Sequence, residues 1–306
     1  MLDEGSGKHM EWTTCIKEAI RFIEEHLLEP IGPDDVATAV HISPLYLQRG
    51  FQILTGFNIA EYIRNRRLYE AGKLIISSHK KIIDISYEYG YGTPESFTKA
   101  FYRFHGMTPL ELRKHPKAIH VFHPLHIEIK IKGGNYMEYV VEELEGFKVI
   151  GFSKEFSFEN SYQEIPKFWD EIYSTYHSRL YSGQGPANAL EQAIIDNQIG
   201  VFGICIDESQ KPGVFQYMIA GDYQGGNVPE GLTVFEFPKM TWAKFKCVGP
   251  MPNALQEVNT RIFKEWLPGN KEYELAGKFN IEWYSSEGDM QSSEYQSEIW
   301  IPVKKK

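Results

Sequence analysis

The chain has 306 residues, 42% of them hydrophobic and 24% charged, and a formal net charge of −9. These proportions exclude the disordered and collagen-like classes, and the length favours two domains over one. No apolar run approaches the ~20 residues of a membrane span and no charged-then-apolar leader opens the chain, so a cytoplasmic protein without a membrane partner is expected.

The opening "MLDEGSGKHM" reads as an expression scar over residues 1–9. Cys15, Cys205 and Cys247 stand far apart with no C-x-x-C, which argues against a zinc ribbon or a disulfide framework. The charge is unevenly spread. Residues 43–117 carry twelve Lys/Arg against six Asp/Glu, and residues 121–306 carry seventeen against twenty-six. That asymmetry is expected where only one part of a chain meets phosphates.

In chain order, Ile16, Ile20, Ile23 and Leu27 repeat at helical spacing and predict a helix over 12–28. Pro30, Gly32 and Pro33 stop it, and Asp34 and Asp35 favour the start of a short helix ending by Val40. Ser43 followed by Pro44 is an N-cap and first helical residue, and Leu47, Phe51 and Leu54 line one face of the helix that follows. On this pattern Leu45, Gln48, Arg49 and Gln52 point elsewhere. The stretch "IAEYIRNRRLYEAGKLIIS" (59–77) then reads as a long helix of about 28 Å, close to the ~34 Å between successive major-groove faces.

The pattern then returns. Thr93, Phe97, Phe101 and Gly106 stand fifty residues after Ser43, Leu47, Phe51 and Gly56, and Lys99 answers Arg49. The offset is forty-nine in the preceding short helix, where Ala37 answers Ser86, and the "GYG" turn at Gly90–Gly92 supplies the extra residue. Two helix–turn–helix units on one rod would let a single chain enter adjacent grooves. Gln48, Arg49, Lys99 and the "RNRR" of Arg64, Arg66 and Arg67 are the polar groups that packing does not explain: Arg and Gln suit base edges, and scattered cations suit phosphates.

Residues 11–116 resemble the DNA-binding domain of the AraC/XylS transcriptional regulators. "LYLQRGFQILTGFNIAEYIRNRRLYEA" matches the first motif, and "IIDISYEYGYGTPESFTKAFYRFHGMTPLELR" the signature around the second. The resemblance implies base-contacting positions at Leu45, Gln48 and Arg49 in the first recognition helix, and at Pro94, Glu95 and Lys99 in the second. Gly50 departs from the pattern, and Pro94 and Glu95 replace better donors. The first copy is therefore expected to carry more discrimination, and the second to act through Lys99, Arg103 and the phosphates. Double-stranded DNA and RNA polymerase are the macromolecular partners this implies, with activation the expected sign of regulation.

Residues 115–125 hold two prolines and three histidines, and read as a linker. His120, His123 and His126 lack an acidic or thiolate partner nearby, so a solvated linker is favoured over a metal site. Beyond it, alternating segments such as "HIEIKIK", "GVFGICID" and "VFQYMIAG" replace helical spacing. "FKVIGFSKEF", a helix around Phe168, Trp169 and Ile172, then two strands make β-α-β-β. "LTVFEFPKMTWAKFKCVGP", a helix around Val258, Ile262 and Trp266, then "FNIEWYSS" and "SEIWIPV" repeat that order. The expected fold class is α+β: an all-α double helix-turn-helix domain over 10–114, a linker over 115–125, and an α+β domain over 126–306 whose two β-α-β-β modules form one antiparallel sheet with both helices on one face.

"FPKMTWAKFKCVGP", "WLPG" and "EIWIPV" resemble the GyrI-like effector-binding domain. The resemblance implies a small lipophilic or cationic effector and an acidic residue on the last strand, which falls on Glu298. Alternation puts Glu298 and Trp300 on the face opposite Ile299, Ile301 and Val303, and a carboxylate beside an aromatic ring suits an organic cation. Trp169, Tyr217 and Trp283 are further aromatics that could line such a pocket. An ordinary exposed face is the competing reading of Glu298.

Two alternatives to an effector site remain open. Some GyrI-like domains resemble small hydrolases in which a glutamate and a tyrosine activate water, or the domain could dock a protein. No G-x-S-x-G, H-E-x-x-H or phosphate loop is present, so no cofactor, metal or catalytic residue is expected.

Overall fold

The computed structural model describes residues 12–116, 119–127, 137–180, 182–183, 185–209 and 211–306. It contains a helical unit, Trp12–Ile129, and a sheet unit that includes Lys130–Lys306. Among the described residues, no helix is long and apolar enough to cross a membrane. The expected strand "HIEIKIK" lies mostly outside the described residues.

In the helical unit, α1 (Trp12–Glu25) and α2 (Pro33–Ala39) lead into α3 (Pro44–Thr55), and α4 (Ile59–Ser77) follows. Then come α5 (Ile82–Glu88), α6 (Pro94–His105) and a short α7 (Pro109–Lys114). The fifty-residue echo is structural. Ser43 Oγ accepts the Tyr46 N–H and Thr93 Oγ1 accepts the Ser96 N–H, so both twelve-residue helices start on a hydroxyl cap followed by proline. Both end on a left-handed glycine, Gly56 (φ 81°) and Gly106 (φ 72°), where a side chain would be strained.

The turns entering them match at an offset of forty-nine. Ile42 N–H bonds to the Ala37 carbonyl as Tyr91 N–H bonds to that of Ser86, and His41 and Gly90 both have positive φ. The additional residue, Gly92, follows in the second turn, where the sequence placed the slip.

The segment read as a linker is instead a strap on the helical unit. Phe122 packs edge-on against Phe57 and against Phe104, and His120 stacks on Phe104. His123 meets Tyr69 edge-on, and the Leu125 N–H donates to Tyr62 Oη. Its aromatic and histidine rings have apolar surface to cover, which a solvated linker would leave in water.

Beneath the strap lies Arg66, buried on α4. It donates to both carboxylate oxygens of Glu24 on α1 (2.7–3.0 Å), to Glu70 (3.1 Å) and to the Phe122 carbonyl (2.7 Å). Arg67 donates to the carbonyls of Leu27 (2.7 Å) and Glu29. Two members of "RNRR", expected to face phosphates, therefore hold helices together, and of the three only Arg64 is exposed.

The sheet unit carries β1 (Tyr139–Leu144), β2 (Phe147–Ser157), β3 (Phe202–Ile206), β4 (Val214–Asp222) and β5 (Thr233–Phe237). It continues with β6 (Met240–Val248), β7 (Tyr273–Leu275), β8 (Phe279–Tyr284) and β9 (Gln296–Lys305). Helix α8 (Ser161–Ile172) extends through a π-helical turn, Tyr173–His177, and a short α9 (Ala189–Asp196) follows. Helix α10 (Asn253–Arg261) likewise passes into a π turn, Ile262–Trp266.

All strand pairs are antiparallel, in the order β1-β6-β9-β8-β3-β4-β2-β5, with β7 on β9. The two expected modules, β2-α8-β3-β4 and β6-α10-β8-β9, meet where β3 pairs β8. Each also gains a leading strand that crosses over: β1 precedes β2 but pairs β6, and β5 precedes β6 but pairs β2.

Breaking the Arg66 cluster tests how far it supports the helical unit. Glu24→Ala leaves a buried guanidinium short of its main partner and is expected to cost about 3 kcal/mol in urea unfolding of the helical unit. A loss below about 0.5 kcal/mol, the scale of a surface pair, would show the cluster to be incidental.

Candidate functional sites

Helices α3 and α6, the two expected recognition helices, are presented differently. On α6 the buried residues are Phe97, Phe101 and His105, one stripe at four-residue spacing. Glu95, Ser96, Lys99, Tyr102 and Arg103 are exposed, and Pro94 is half-buried. On α3, Leu45 and Gln48 are 3% and 7% exposed, and Arg49 is half-buried. The expectation that Leu45 and Gln48 point away from the core is therefore corrected. Helix α3 reads "PLYLQRGFQILT" and buries Leu45, Tyr46, Leu47, Gln48, Gly50 and Phe51. A helix apolar on several faces is covered on several faces. The order of exposure is also the reverse of the expected order of discrimination, since the second copy holds the freer polar side chains.

Tyr91 precedes α6 and packs edge-on against Phe97. Burial raises the pKa of its phenol above the ordinary value, against the lowering influence of Arg64, Arg67 and Arg103.

In the sheet unit, alternation separates the five expected ligand residues. Glu298 pairs with Trp283, and Trp283 in turn with Phe202; Trp300 pairs with Ile281 and Lys244. That face carries the aromatic core of Phe202, Ile204, Trp242, Phe279 and Ile281, with Trp283 and Trp300 against it. Phe237 and Phe147, from one end of the sheet, touch Trp242 near the other, so this face curls onto itself. Glu298 accepts the Trp300 indole N–H at 2.6 Å, and Lys244 Nζ stands 3.7 Å from the Trp300 ring centroid while pairing with Glu142. The place beside the ring where an organic cation was expected is held by the protein's own ammonium.

Trp169 and Tyr217 lie on the other face, which carries the helices. Phe156 meets Phe168 of α8, and Phe245, opposite Ile299, meets Trp266 beyond α10. Helix α8 packs on β2 and α10 on β6 and β9, so the central strands β3 and β8 run between them. The Trp169 indole N–H donates to Tyr217 Oη at 2.9 Å, and the Trp169 ring stands edge-on to Tyr284 at 5.5 Å.

Tyr284 donates to Glu282 Oε2 at 2.7 Å. Its hydroxyl end is enclosed although the residue is partly exposed, and burial first, then the Glu282 charge, hold its pKa well above 10. It is a neutral donor at any physiological pH. Gly203 on β3 makes the room: a Cβ there would stand 2.4 Å from Tyr217 Oη and 3.4 Å from Glu282 Oε2.

Sequence reasoning missed Glu282 and Tyr284. Their signal was present in "NIEWYSS", where an acid and a tyrosine two residues apart share one face of a strand. Only the β3–β8 register shows that this face is opposite Gly203. A half-buried carboxylate among Trp169, Tyr217 and Tyr284 can attract a cation by charge and by ring quadrupole together.

Comparison with known proteins agrees with both halves. Residues 140–303 match the family described as integron-associated effector binding protein, and residues 36–115 match a helix-turn-helix domain. The right origin-binding protein of Escherichia coli K12 is 30% identical over 176 residues, 56% of this chain and 58% of that protein. The chain thus spans little more than half the length of that relative. Regulatory protein SoxS of Salmonella typhimurium is 36% identical over 104 residues, 34% of this chain and 97% of that protein. A solved structure of SAV2435 bound to tetraphenylphosphonium is 24% identical with a TM-score of 0.43, covering 55% of this chain and 94% of that one. The chain belongs to the integron-associated effector-binding protein family and carries, ahead of that domain, an AraC-type helix-turn-helix domain.

Proposed function

We propose that this protein is a transcriptional regulator that reads duplex DNA through its helical unit and takes a lipophilic organic cation at Glu282. The observation that carries the DNA reading is the twinned helix: two twelve-residue helices with the same caps, fifty residues apart, on a nineteen-residue rod. Lys99 and Arg103 of α6 supply phosphate contacts, and Glu95 accepts from a base amino group. Arg49 is the reader on α3, with Leu45, Gln48 and Pro94 setting the helices' positions. Activation through contact with RNA polymerase completes the reading.

The ligand reading rests on the Glu282–Tyr284 pair with Trp169 and Tyr217 beside it. A hydrolase is the second reading, because a glutamate bonded to a tyrosine is also the pair that would activate water. Turnover of an electrophilic ester that vanishes in Glu282→Gln would favour it; saturable binding without turnover favours the effector site.

Two experiments test the DNA reading. Arg103→Ala is expected to weaken binding to all duplexes alike and to reduce the slope of log K against log salt by about one. Arg49→Ala is expected to relax preference within a pool selected by the unaltered protein. An unchanged slope and an unchanged preference would remove these helices from the interface.

For the ligand, titration with tetraphenylphosphonium followed by tryptophan fluorescence should saturate. Glu282→Gln should weaken it by about tenfold or more, the equivalent of at least ~1.4 kcal/mol, while Glu298→Gln leaves it within about twofold. The opposite ranking would move the site to the other face.

A further inference from the structure

The helical unit contains a cavity of about 260 Å³ that the DNA reading leaves unused. It lies between the segment entering α2, the first half of α4 and the turn from α5 to α6. Ile31, Pro33 and Ile63 make its wall apolar, and Arg64, Arg67 and Tyr91 make it polar.

The polar side has an unbalanced charge. Arg67 spends its Nε on the Leu27 carbonyl and its Nη2 on the Glu29 carbonyl, and among the described residues no carboxylate pairs with it. Burial accordingly lowers its pKa, with only Tyr91 acting in the other direction. Its Nη1 lies 3.1 Å from where a Cβ on Gly90 would stand, and Gly90 has φ 82°, so this close approach requires glycine. The Tyr91 hydroxyl is buried and, among the described residues, has no hydrogen-bond partner, and the charged groups bearing on it are Arg64, Arg67 and Arg103.

A buried hydroxyl without a partner and a partly buried guanidinium without a counter-charge are both costly, and one anion relieves both. The apolar wall selects among anions. Inorganic phosphate or a duplex phosphate offers nothing to Ile31, Pro33 and Ile63, whereas a carboxylate on a ring buries that ring against them.

We propose that this cavity binds a small organic carboxylate, its apolar body against Ile31, Pro33 and Ile63 and its carboxylate between the Arg67 guanidinium and the Tyr91 hydroxyl. Such a ligand sits on the turn that leads to Thr93, the cap of α6, and so acts on the DNA-reading unit itself. The site does not depend on the Glu282 reading.

Benzoate, benzamide and inorganic phosphate added to the full chain in calorimetric titrations test this directly. Benzoate is expected to bind saturably, and isosteric, neutral benzamide and phosphate to give no saturable heat at the same concentrations. Ala60→Leu, which narrows the cavity and leaves its charges in place, should weaken benzoate by about tenfold or more. Tyr91→Phe, which removes only the hydroxyl, should weaken it by about three- to tenfold. Equal heats from benzamide, displacement of benzoate by equimolar phosphate, or unaltered binding in Tyr91→Phe would each overturn the proposal. Should Ala60→Leu fail to fold, Tyr91→Phe decides alone.

Discussion

The helical unit depends on one guanidinium taken out of water. Arg66 is 3% exposed, and at that burial its donors must find partners inside the protein. It finds them on three separate pieces of chain: Glu24 of α1, Glu70 one turn along α4, and the Phe122 carbonyl of the strap. Burial works against its charge, and Glu24 and then Glu70 more than offset it, so its pKa is raised rather than lowered. Glu24 also accepts from the Tyr62 hydroxyl at 2.7 Å, and that hydroxyl accepts the Leu125 N–H. The long helix is therefore a rod fixed at its middle to the first helix and to the segment after the last. Spacing α3 and α6 requires such stiffness, since a rod free to roll would not hold its ends in register.

This changes what basic residues on α4 mean. A run such as "RNRR" advertises phosphate contact in a sequence, yet burial divides its arginines by helical position. Arg66 lies on the same face as Tyr62, Ile63 and Tyr69, all of them buried. Arg67 bonds to the Leu27 and Glu29 carbonyls, in the segment just past α1. The local excess of positive charge in residues 43–117 thus overstates what the surface presents to solvent, and the exposed cations of α6 make up correspondingly more of it.

How much could be read in advance follows from the range of the interaction. Caps, prolines and glycines act within a few residues, and Ser43, Pro44, Gly56 and their partners fifty residues on were legible as a repeat with the starts of their helices. The bounds of α4 were legible because no proline interrupts it and Gly72 is its one glycine. The strap was not, since Phe122 and His120 gain their partners from Phe57 and Phe104, far away along the chain. The burial of Gln48 was equally hidden: polarity predicted a solvated face, but its neighbours Leu45, Tyr46 and Leu47 leave α3 little surface to give to water.

In the sheet unit, period-two alternation was legible and its meaning was not. The sequence placed Glu298 and Trp300 opposite Ile299 and Ile301, and that is how β9 is built. What alternation cannot supply is which face is occupied, because this sheet has apolar residues on both. The face of Glu298 closes into an aromatic core with Lys244 already over Trp300, while the face of Glu282 lies under the helices. The position of Glu282 follows from the doubled module. Pairing β3 with β8 at the junction sets Gly203 opposite Glu282, and the missing side chain leaves space for a tyrosine hydroxyl and a carboxylate. Each module alone would supply only part of that cluster. The acid, the two tyrosines and the indole meet only because the second copy turns its central strand against that of the first.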